Sequence, residues 1–367
     1  MTAVLERIDT PLAEVRASVF VVPTDAHESD GTLEWDQTTL VLVEAAAGDE
    51  TGIGWTYGAA AAAKVVEDEL ASMIVGMSAL DVRGAQLAMR RALRNAGYPG
   101  IGASAVSAVD IALWDLKAKL LGVPLVTLLG AIHETAPVYG SGGFCSYTDE
   151  QLARQLAGWV DDGIPRVKMK VGREPDRDLD RVRVARLAIG DDAELYVDAN
   201  GAFVPEGALR VADAYAAWGV TWFEEPVSSN DVDGLRLLRS KAPPGMEIAA
   251  GEYAYTPDDF RALLGAVDCL QADVTRCGGI TGFLQAASLA DAFELDLSGH
   301  TSPTIHAHVI CAVAKARHVE WFHDHVRIER MLLDGFLEPE GGQLRPDRSR
   351  PGLGVELKRA DARRYAA

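Results

Sequence analysis

The pattern of hydrophobic and polar positions changes near residue 136. From there on, short apolar runs alternate with amphipathic segments whose apolar residues recur at helical spacing. We interpret the runs as strands that begin near Pro137, Arg166, Glu194, Thr221, Glu247, Asp268, Leu295 and His318. Helices are predicted in the gaps, for example at Glu150–Asp162, Asp178–Ile189, Pro205–Trp218 and Thr281–Phe293. Eight strand–helix units at a period of roughly 20–30 residues predict a closed (β/α) barrel rather than an open sheet.

The first third has another pattern, in which strands come before a run of helices. Residues 12–22 and 38–44 are rich in β-branched and apolar residues and are predicted to be strands. Between them, residues 23–36 form a long polar and acidic connection without structure of its own, and residues 51–57 are interpreted as a glycine-rich turn. Helices are predicted at 59–73, 79–95 and 105–121, the last one capped by Ser104. This part of the chain is therefore α+β.

Composition and charge exclude several classes of protein. The 367 residues suffice for one large domain and a smaller one, and 48% apolar and 24% charged residues are ordinary for a globular protein. The net charge of −19 argues against a nucleic-acid partner and against binding to anionic membranes. No apolar run approaches the length of a membrane span, and residues 1–11 lack the apolar core of a signal peptide. We expect neither a nucleic acid nor a membrane as partner.

The cysteines indicate a reducing compartment. Cys145, Cys269, Cys277 and Cys311 show no C-x-x-C spacing and stand in apolar or glycine-rich contexts. This pattern favours reduced thiols over a disulfide framework or a zinc site, and a cytoplasmic location follows as an expectation.

Three acidic residues stand at the ends of consecutive predicted strands. Asp198, Glu224 and Glu252 follow the third, fourth and fifth strands of the predicted barrel. Catalytic residues of such barrels lie at the carboxyl ends of the strands, so these side chains should converge at one mouth. Three carboxylates placed together repel each other, and a hard divalent cation such as Mg²⁺ removes that repulsion. A turn or a helix start would explain each acid alone, but not all three in step with the barrel period.

Two further groups suit acid–base chemistry. Lys168 and Lys170 are two apart in a predicted strand, so they share one face, where each lowers the pKa of the other. Beside a divalent cation, Lys170 could then serve as a general base. His300 ends the seventh strand and Asp273 the sixth, which suits a carboxylate–imidazole pair. The alternative interpretation of the two lysines is a solvent-exposed edge strand. The alternative for His300 is a buried histidine whose hydrogen bonds are purely structural.

With these residues in place, the chain resembles the enolase superfamily, in its mandelate racemase-like subgroup. The matching motifs are K-M-K at Lys168–Lys170, V-D-A-N-G at Asp198, W-F-E-E-P at Glu224, A-G-E at Glu252, D-V-T-R-C-G-G at Asp273 and S-G-H at His300. The resemblance implies a modified (β/α)₇β barrel over residues 131–336 with an α+β capping domain over 1–130. It also implies a C-terminal segment, 337–367, that returns to the cap.

The resemblance also implies roles for the site residues and partners. Mg²⁺ would be bound by Asp198, Glu224 and Glu252. Lys170 would be one acid/base group, and His300 paired with Asp273 would be the other. Lys168 would be the electrostatic partner of Lys170, and Glu320 would be a hydrogen-bonding carboxylic acid on the last strand. The substrate would be a small-molecule carboxylate, and the protein a homo-oligomer, either a dimer or an octamer.

Three functions, two of them catalytic, remain open at this point. In the first, Lys170 or His300 removes the α-proton of an acid sugar, and the β-hydroxyl leaves to give a 2-keto-3-deoxy acid. In the second, the two bases exchange protons on opposite faces of a 2-hydroxy acid or an amino-acid derivative, as in a racemase or epimerase. In the third, the scaffold only binds a ligand, which failure of every carboxylic acid to exchange its α-proton would support. We favour dehydration because many relatives of this subgroup perform it.

Four residues are candidates for contact with the substrate. They are Tyr57, His27, Ser141 and Asn200, and the alternative for each is ordinary packing or exposure to solvent. The acids of the 23–36 connection, Asp25, Glu28 and Asp30, would suit a cationic amine better than an acid sugar if they face the substrate.

Overall fold

The N-terminal part of the fold is a three-stranded antiparallel sheet. The computed structural model describes residues 10–367, so most of the segment examined for a signal peptide lies outside the described residues. The strands are β1 (Glu14–Ser29), β2 (Glu34–Ala47) and β3 (Glu50–Tyr57), in the order β1-β2-β3.

The prediction of an unstructured connection over residues 23–36 is wrong. Strands β1 and β2 continue through most of it, with Glu28 paired to Trp35 and Ser29 to Glu34, and only a register shift between Pro23 and Glu28 interrupts the ladder. Backbone pairing satisfies the hydrogen-bonding groups of this polar segment, which its side-chain pattern does not reveal.

The helices of the cap follow the sheet. They are α1 (Ala61–Val65), a π-helical turn (Val66–Leu70), α2 (Ala71–Ile74), α3 (Val82–Ala92), α4 (Ile101–Leu121) and α5 (Leu125–Leu129). The predicted cap at Ser104 is wrong because α4 begins earlier, after Gly100, and the backbone N–H of Ser104 already donates to the Gly100 carbonyl.

The prediction of a turn over residues 51–57 is also wrong, since these residues form β3. Its glycines face α4 at very short range. A Cβ atom at Gly52 would lie 2.2 Å from the carbonyl oxygen of Ala112, and one at Gly54 would lie 2.3 Å from that of Ala108. The glycines therefore allow the helix to pack directly on the strand rather than marking a turn.

The rest of the chain forms the predicted barrel. Its strands are β4 (Ala136–Gly142), β5 (Arg166–Lys170), β6 (Glu194–Asp198), β7 (Val220–Glu224), β8 (Glu247–Ala250), β9 (Cys269–Ala272), β10 (Asp296–Gly299) and β11 (Ala316–Phe322). All neighbours pair in parallel, and β11 pairs with β4 to close the ring. The helices are α6 (Asp149–Asp161), α7 (Pro175–Ile189), α8 (Pro205–Ala216), α9 (Val232–Lys241), α10 (Pro257–Leu263), α11 (Gly279–Ala292), α12 (Pro303–Ile310) and α13 (His323–Leu332). The (β/α)₇β prediction is confirmed.

The C-terminal residues contact both parts of the fold. They contain β12 (Leu333–Asp334), β13 (Gln343–Leu344), β14 (Glu356–Leu357), α14 (Arg359–Ala362) and a 3₁₀ turn (Arg363–Tyr365). Strand β13 pairs with β4 of the barrel, and the last N–H, of Ala367, donates to the Val19 carbonyl in β1 at 3.1 Å. The boundaries at 130 and 336 stay a prediction. Among residues 10–367, no helix combines the length and apolar character needed to cross a membrane.

The tip of the β1–β2 hairpin lies over the barrel, and Gly31 makes the closest approach. A Cβ atom at Gly31 would lie 2.3 Å from the Ala199 carbonyl oxygen and 2.7 Å from that of Val171, both beside the ends of barrel strands. The adjacent Thr32 hydroxyl donates to the Asn200 carbonyl at 3.4 Å. The hairpin therefore forms a roof over the carboxyl ends of the strands, where the predicted site residues lie.

Candidate active site

Three carboxylates converge where the sequence predicts a metal site. Asp198 ends β6, Glu224 ends β7 and Glu252 follows β8, and all three are buried. One oxygen from each lies within 4.8 Å of the others. Burial raises the pKa of Glu224 to about 8, with Lys168 opposing it and Asp198 adding to it. A buried set of three carboxylates has the oxygen ligands that Mg²⁺ prefers, so the residues present fit this ion.

Lys168 is the central counter-charge of the carboxylates. Its ammonium group donates to Glu224, lies 2.8 Å from Oε1 of Glu320 and 3.4 Å from Oδ2 of Asp198, and has no exposure to solvent. Burial alone would lower the pKa of Lys168, but the surrounding carboxylates outweigh burial and raise it. Lys168 therefore stays charged and holds three acids from separate strands together.

Lys170 reaches the same region from the end of β5. Its Nζ donates to Oδ2 of Asp198 at 2.5 Å. Burial lowers the pKa of Lys170, yet Asp198 and the other carboxylates together raise it above its usual value, which is opposite to the predicted direction. The prediction of a lowered pKa for Lys170 applies to a site that holds a divalent cation, whose charge offsets that of the carboxylates. For that metal-bound state, the lowered pKa stays a prediction.

The predicted histidine–aspartate pair is present. Nδ1 of His300 lies 2.8 Å from Oδ2 of Asp273, while its Nε2 lies 3.2 Å from Oε2 of Glu252 and 3.5 Å from Oε2 of Glu320. The hydroxyl and the backbone N–H of Thr275 each donate to the other oxygen of Asp273 at 2.7 Å. Asp273 is thus fixed, and it directs Nε2 of His300 toward the carboxylates at the barrel mouth. Burial lowers the pKa of His300, but Glu252 and Glu320 outweigh it and raise the pKa to about 10.

Sequence reasoning missed two charged residues of the site. Nε of Arg276 lies 3.4 Å from Oδ2 of Asp273, and its Nη1 lies 3.5 Å from Oε1 of Glu252. Glu225, beside Glu224, is buried in a left-handed conformation with φ of 35°, and burial and Glu252 raise its pKa. The E-E-P motif and the arginine after Asp273 were visible signals, but only the folded chain shows what they contact.

A cavity of about 320 Å³ lies between the strand ends and the cap, a size that suits a small molecule. Its barrel side includes Lys170, Asn200, Glu252, Arg276, His300 and Glu320, and its cap side includes Asp30, Trp35, Thr38 and Tyr57. Asp324 and His325, at the start of α13, also line the cavity next to the cap residues. The predicted substrate contacts Tyr57 and Asn200 therefore lie in the wall.

The structure does not bring the other two predicted contacts, Ser141 and His27, to the cavity. The Ser141 hydroxyl is buried and donates to Oε1 of Glu320 at 2.6 Å, so it positions that acid. His27 is exposed on the hairpin, with Nε2 3.7 Å from Oε2 of Glu34. The side chain points away from the cavity because successive residues of a strand face opposite sides, and its neighbour Glu28 is the one turned inward.

Three acids of the hairpin lie in three different environments. Asp30 lines the cavity, whereas Asp25 contacts Nε2 of His323 at 3.1 Å outside it. Glu28 is fully buried behind the wall, where Oε2 accepts a hydrogen bond from the Trp35 indole at 2.9 Å. Burial and the nearby Asp324 raise the pKa of Glu28 to about 9.

Replacing Glu28 by glutamine is expected to stabilise the protein increasingly as the pH rises. The pKa of Glu28 is 4.5 in an unfolded chain and about 9 here, so between these values the folded chain holds one more proton and loses stability with rising pH. Glu28→Gln removes this loss. We expect a gain of about 1–3 kcal/mol at pH 8, with a smaller gain at pH 5.5. Urea unfolding at both pH values measures it. Asp36→Asn, an exposed acid on β2, the other strand of the same hairpin, is the control, and equal gains at both pH values would contradict the prediction.

Family models match both parts of the chain. The "Mandelate racemase / muconate lactonizing enzyme, N-terminal domain" matches residues 15–130, and the "Enolase C-terminal domain-like" family matches residues 151–362. A mandelate racemase/muconate lactonizing enzyme-like protein from Rubrobacter xylanophilus has a similar crystal structure, with 55% identity and a TM-score of 0.96 over 97% of this chain and 100% of that one.

Two curated relatives have named activities. The 3,6-anhydro-alpha-L-galactonate cycloisomerase of Streptomyces coelicolor is 33% identical over 94% of this chain and 97% of that protein. The L-talarate/galactarate dehydratase of Salmonella typhimurium is 31% identical over 77% of this chain and 73% of that protein. A crystal structure of the dehydratase, liganded with Mg and L-lyxarohydroxamate, has a TM-score of 0.89 at 27% identity over 99% of this chain and 94% of that one. This chain is an enzyme of the enolase superfamily and belongs to its mandelate racemase/muconate lactonizing enzyme family.

Proposed function

We propose that the protein dehydrates an acid sugar to a 2-keto-3-deoxy acid, with Mg²⁺ held by Asp198, Glu224 and Glu252. The observation that carries the proposal is that Lys170 and His300 line one cavity together with Glu252 of the acidic triad. A single cavity with two acid–base groups and a carboxylate triad suits removal of a proton next to a carboxylate. The activities named for the two curated relatives, both on sugar acids, support the substrate class.

In this proposal the two acid–base groups have different tasks. Nζ of Lys170 takes the α-proton and breaks the C–H bond. Nε2 of His300 gives a proton to the β-hydroxyl, which leaves as water, and the enol that remains tautomerises to the 2-keto-3-deoxy acid. Asp273 holds the histidine ring by its other nitrogen, so Nε2 faces the cavity.

The remaining groups hold charge. When bound, Mg²⁺ stabilises the second negative charge that forms on the carboxylate of the substrate. Lys168 supplies a fixed positive charge beside the carboxylates. Its ammonium group lies 2.8 Å from Oε1 of Glu320, and Glu320 is held by hydrogen bonds from Ser141 and from the backbone N–H of Thr301. These groups are buried before any substrate arrives, so their arrangement costs little reorganisation during the reaction.

Proton exchange in D₂O tests the proposed function. The protein and Mg²⁺ are incubated with aldonic and aldaric acids and with amino-acid derivatives, and proton NMR follows the α-signals. Loss of an α-signal with formation of a 2-keto acid is the expected result. Loss of the signal with formation of an epimer or enantiomer would instead show the racemase reaction, which the same two bases permit. No exchange by any acid, with metal bound, would support the binding-protein alternative.

Mg²⁺ is expected to stabilise the folded protein without substrate. A free Mg²⁺ concentration of about 100 times the dissociation constant adds about 2.7 kcal/mol to the free energy of unfolding, because only the folded chain brings the three ligands together. Thermal unfolding with EDTA and with increasing Mg²⁺ measures the shift. Glu224→Gln should abolish most of it, whereas Glu194→Gln, an acid at the start of β6 at the opposite end of the barrel, should not. An unchanged Tm in Mg²⁺ would contradict the ligand assignment.

A further inference from the structure

The cap side of the cavity carries negative charge. Asp30 and Asp324 both line this side and are both buried. Oδ1 of Asp30 accepts hydrogen bonds from the backbone N–H groups of Thr32 and Leu33 at 2.7 and 2.6 Å, which fixes the carboxylate in the turn of the hairpin. Two carboxylates from different elements therefore lie at the cap end of the cavity, where Asp30 is 7% exposed and Asp324 is not exposed at all.

Asp324 is ionised and held in place. Its Oδ2 accepts from the Thr38 hydroxyl at 2.6 Å, and its Oδ1 accepts from Nη2 of Arg327 at 3.0 Å. Burial raises the pKa of Asp324, but these two donors outweigh it and lower the pKa below its usual value. Arg327 does not reach the cavity wall, since the same nitrogen also donates to the Pro23 carbonyl at 2.6 Å.

Among the described residues of the wall, every cation already has a partner. Lys170 donates to Asp198, and His300 pairs with Asp273. The Arg276 guanidinium lies between Glu252 and Asp273 and 5.0 Å above the Tyr253 ring.

The remaining basic residue of the wall, His325, is neutral. It stacks on Tyr57 with ring centroids 3.4 Å apart, and burial lowers its pKa to about 3. Every positive charge in the described wall therefore already has a carboxylate partner, whereas Asp30 is held by the backbone N–H groups of Thr32 and Leu33, which carry no charge.

We infer that the substrate carries one carboxylate, bound at the barrel side, and ends in a neutral hydroxyl group beside Asp30 and Asp324 on the cap side. An aldonic acid has this form, whereas an aldaric acid would place a second carboxylate against Asp324 and Asp30. A hydroxyl donating to a carboxylate makes a charge-assisted hydrogen bond, while two carboxylates at close range repel each other. The inference rests on the proposed function and narrows its substrate class to polyhydroxy monocarboxylic acids.

Matched pairs of substrates test the inference. Each pair has the same configuration and differs only at the last carbon, for example gluconate with glucarate and galactonate with galactarate. Proton exchange and keto-acid formation with Mg²⁺ give kcat/KM for both members. We expect the aldonic member of the reacting pair to be preferred about 100-fold, which corresponds to about 2.7 kcal/mol of repulsion between like charges. Equal rates, or a faster aldaric acid, would overturn the inference but leave the proposed function standing. Exchange of no sugar acid of either type would overturn both.

Asp324→Asn tests the named residue. Asparagine keeps the shape and can still accept from Thr38, but it removes the negative charge at the cap end of the cavity and leaves Arg327 without its ion pair. The preference for the aldonic over the aldaric acid should fall to about tenfold or less, since one of the two repelling carboxylates is gone. A merely structural role would lower both rates together and leave their ratio unchanged, which would overturn the inference. Asp30→Asn provides a second variant should Asp324→Asn not fold, and Asp36→Asn, an exposed acid of the hairpin outside the wall, should keep the full preference.

Discussion

Lys170→Met and His300→Asn are each expected to lower kcat for the dehydration by about 10²–10⁴, the usual contribution of a positioned acid or base. Their effects on proton exchange should differ. Without Lys170 no group removes the α-proton, so exchange in D₂O should stop together with product formation. Without His300 the α-proton should still exchange, but the β-hydroxyl should leave slowly because it receives no proton.

The comparison of exchange with elimination separates the two roles. Proton NMR gives both rates in one experiment, and KM should change much less than kcat because neither side chain anchors the substrate carboxylate. Lys315→Met, which removes a surface lysine paired with Glu294, is the control for the loss of one positive charge. If His300→Asn stopped exchange while Lys170→Met retained it, the two roles would have to be reversed.

Lys168→Met is expected to cost about 3–5 kcal/mol of folding free energy when no metal is present, because it removes the counter-charge from buried carboxylates. Lys168 contacts Glu224, Glu320 and Asp198 without any exposure to solvent, and methionine fills a similar volume without the charge. Mg²⁺ should recover a large part of the loss, since the ion supplies positive charge to the same group of acids. Urea unfolding with EDTA and with Mg²⁺ measures both effects.

The cap offers a matched control for this experiment. Lys119 lies 2.7 Å from the fully buried Asp115, far along the chain from the metal ligands. Lys119→Met should also destabilise the protein. In this variant, however, Mg²⁺ should raise the free energy of unfolding by no more than it does in the unaltered protein. Equal recovery in the two variants would mean that Lys168 does not share its carboxylates with the metal.

Much of the barrel and its charged centre could be predicted from the sequence. The period of the strand–helix units determines the barrel, and the rule that parallel strands end at one edge brings Asp198, Glu224 and Glu252 together. The pairing of His300 with Asp273 follows from the same rule, because their strands β9 and β10 are neighbours. These features depend on local patterns that recur along the chain.

Other features depend on contacts between distant segments. In the sequence, β3 resembles a turn because it is rich in glycine, but Gly52 and Gly54 are needed for the close packing of α4 on the strand. Asp324 belongs to no recognisable motif, and one of the contacts that hold it in the wall is the hydrogen bond from Thr38, 286 residues earlier. The direction of the Lys170 pKa shift could not be predicted from its neighbour Lys168, because Asp198 on the next strand accepts a hydrogen bond from Lys170 and has the larger effect.

The close approach of Gly31 to Ala199 and Val171 has a consequence for how this fold can diversify. The depth of the cavity is set by how far the hairpin reaches, and that reach is fixed by the number of residues between Glu14 and the contact point. Inserting or deleting two residues in each of the two strands would move the tip by about 7 Å, at about 3.4 Å for each residue. Changes of hairpin length would therefore alter the length of substrate that fits, while the barrel residues and their chemistry stay the same.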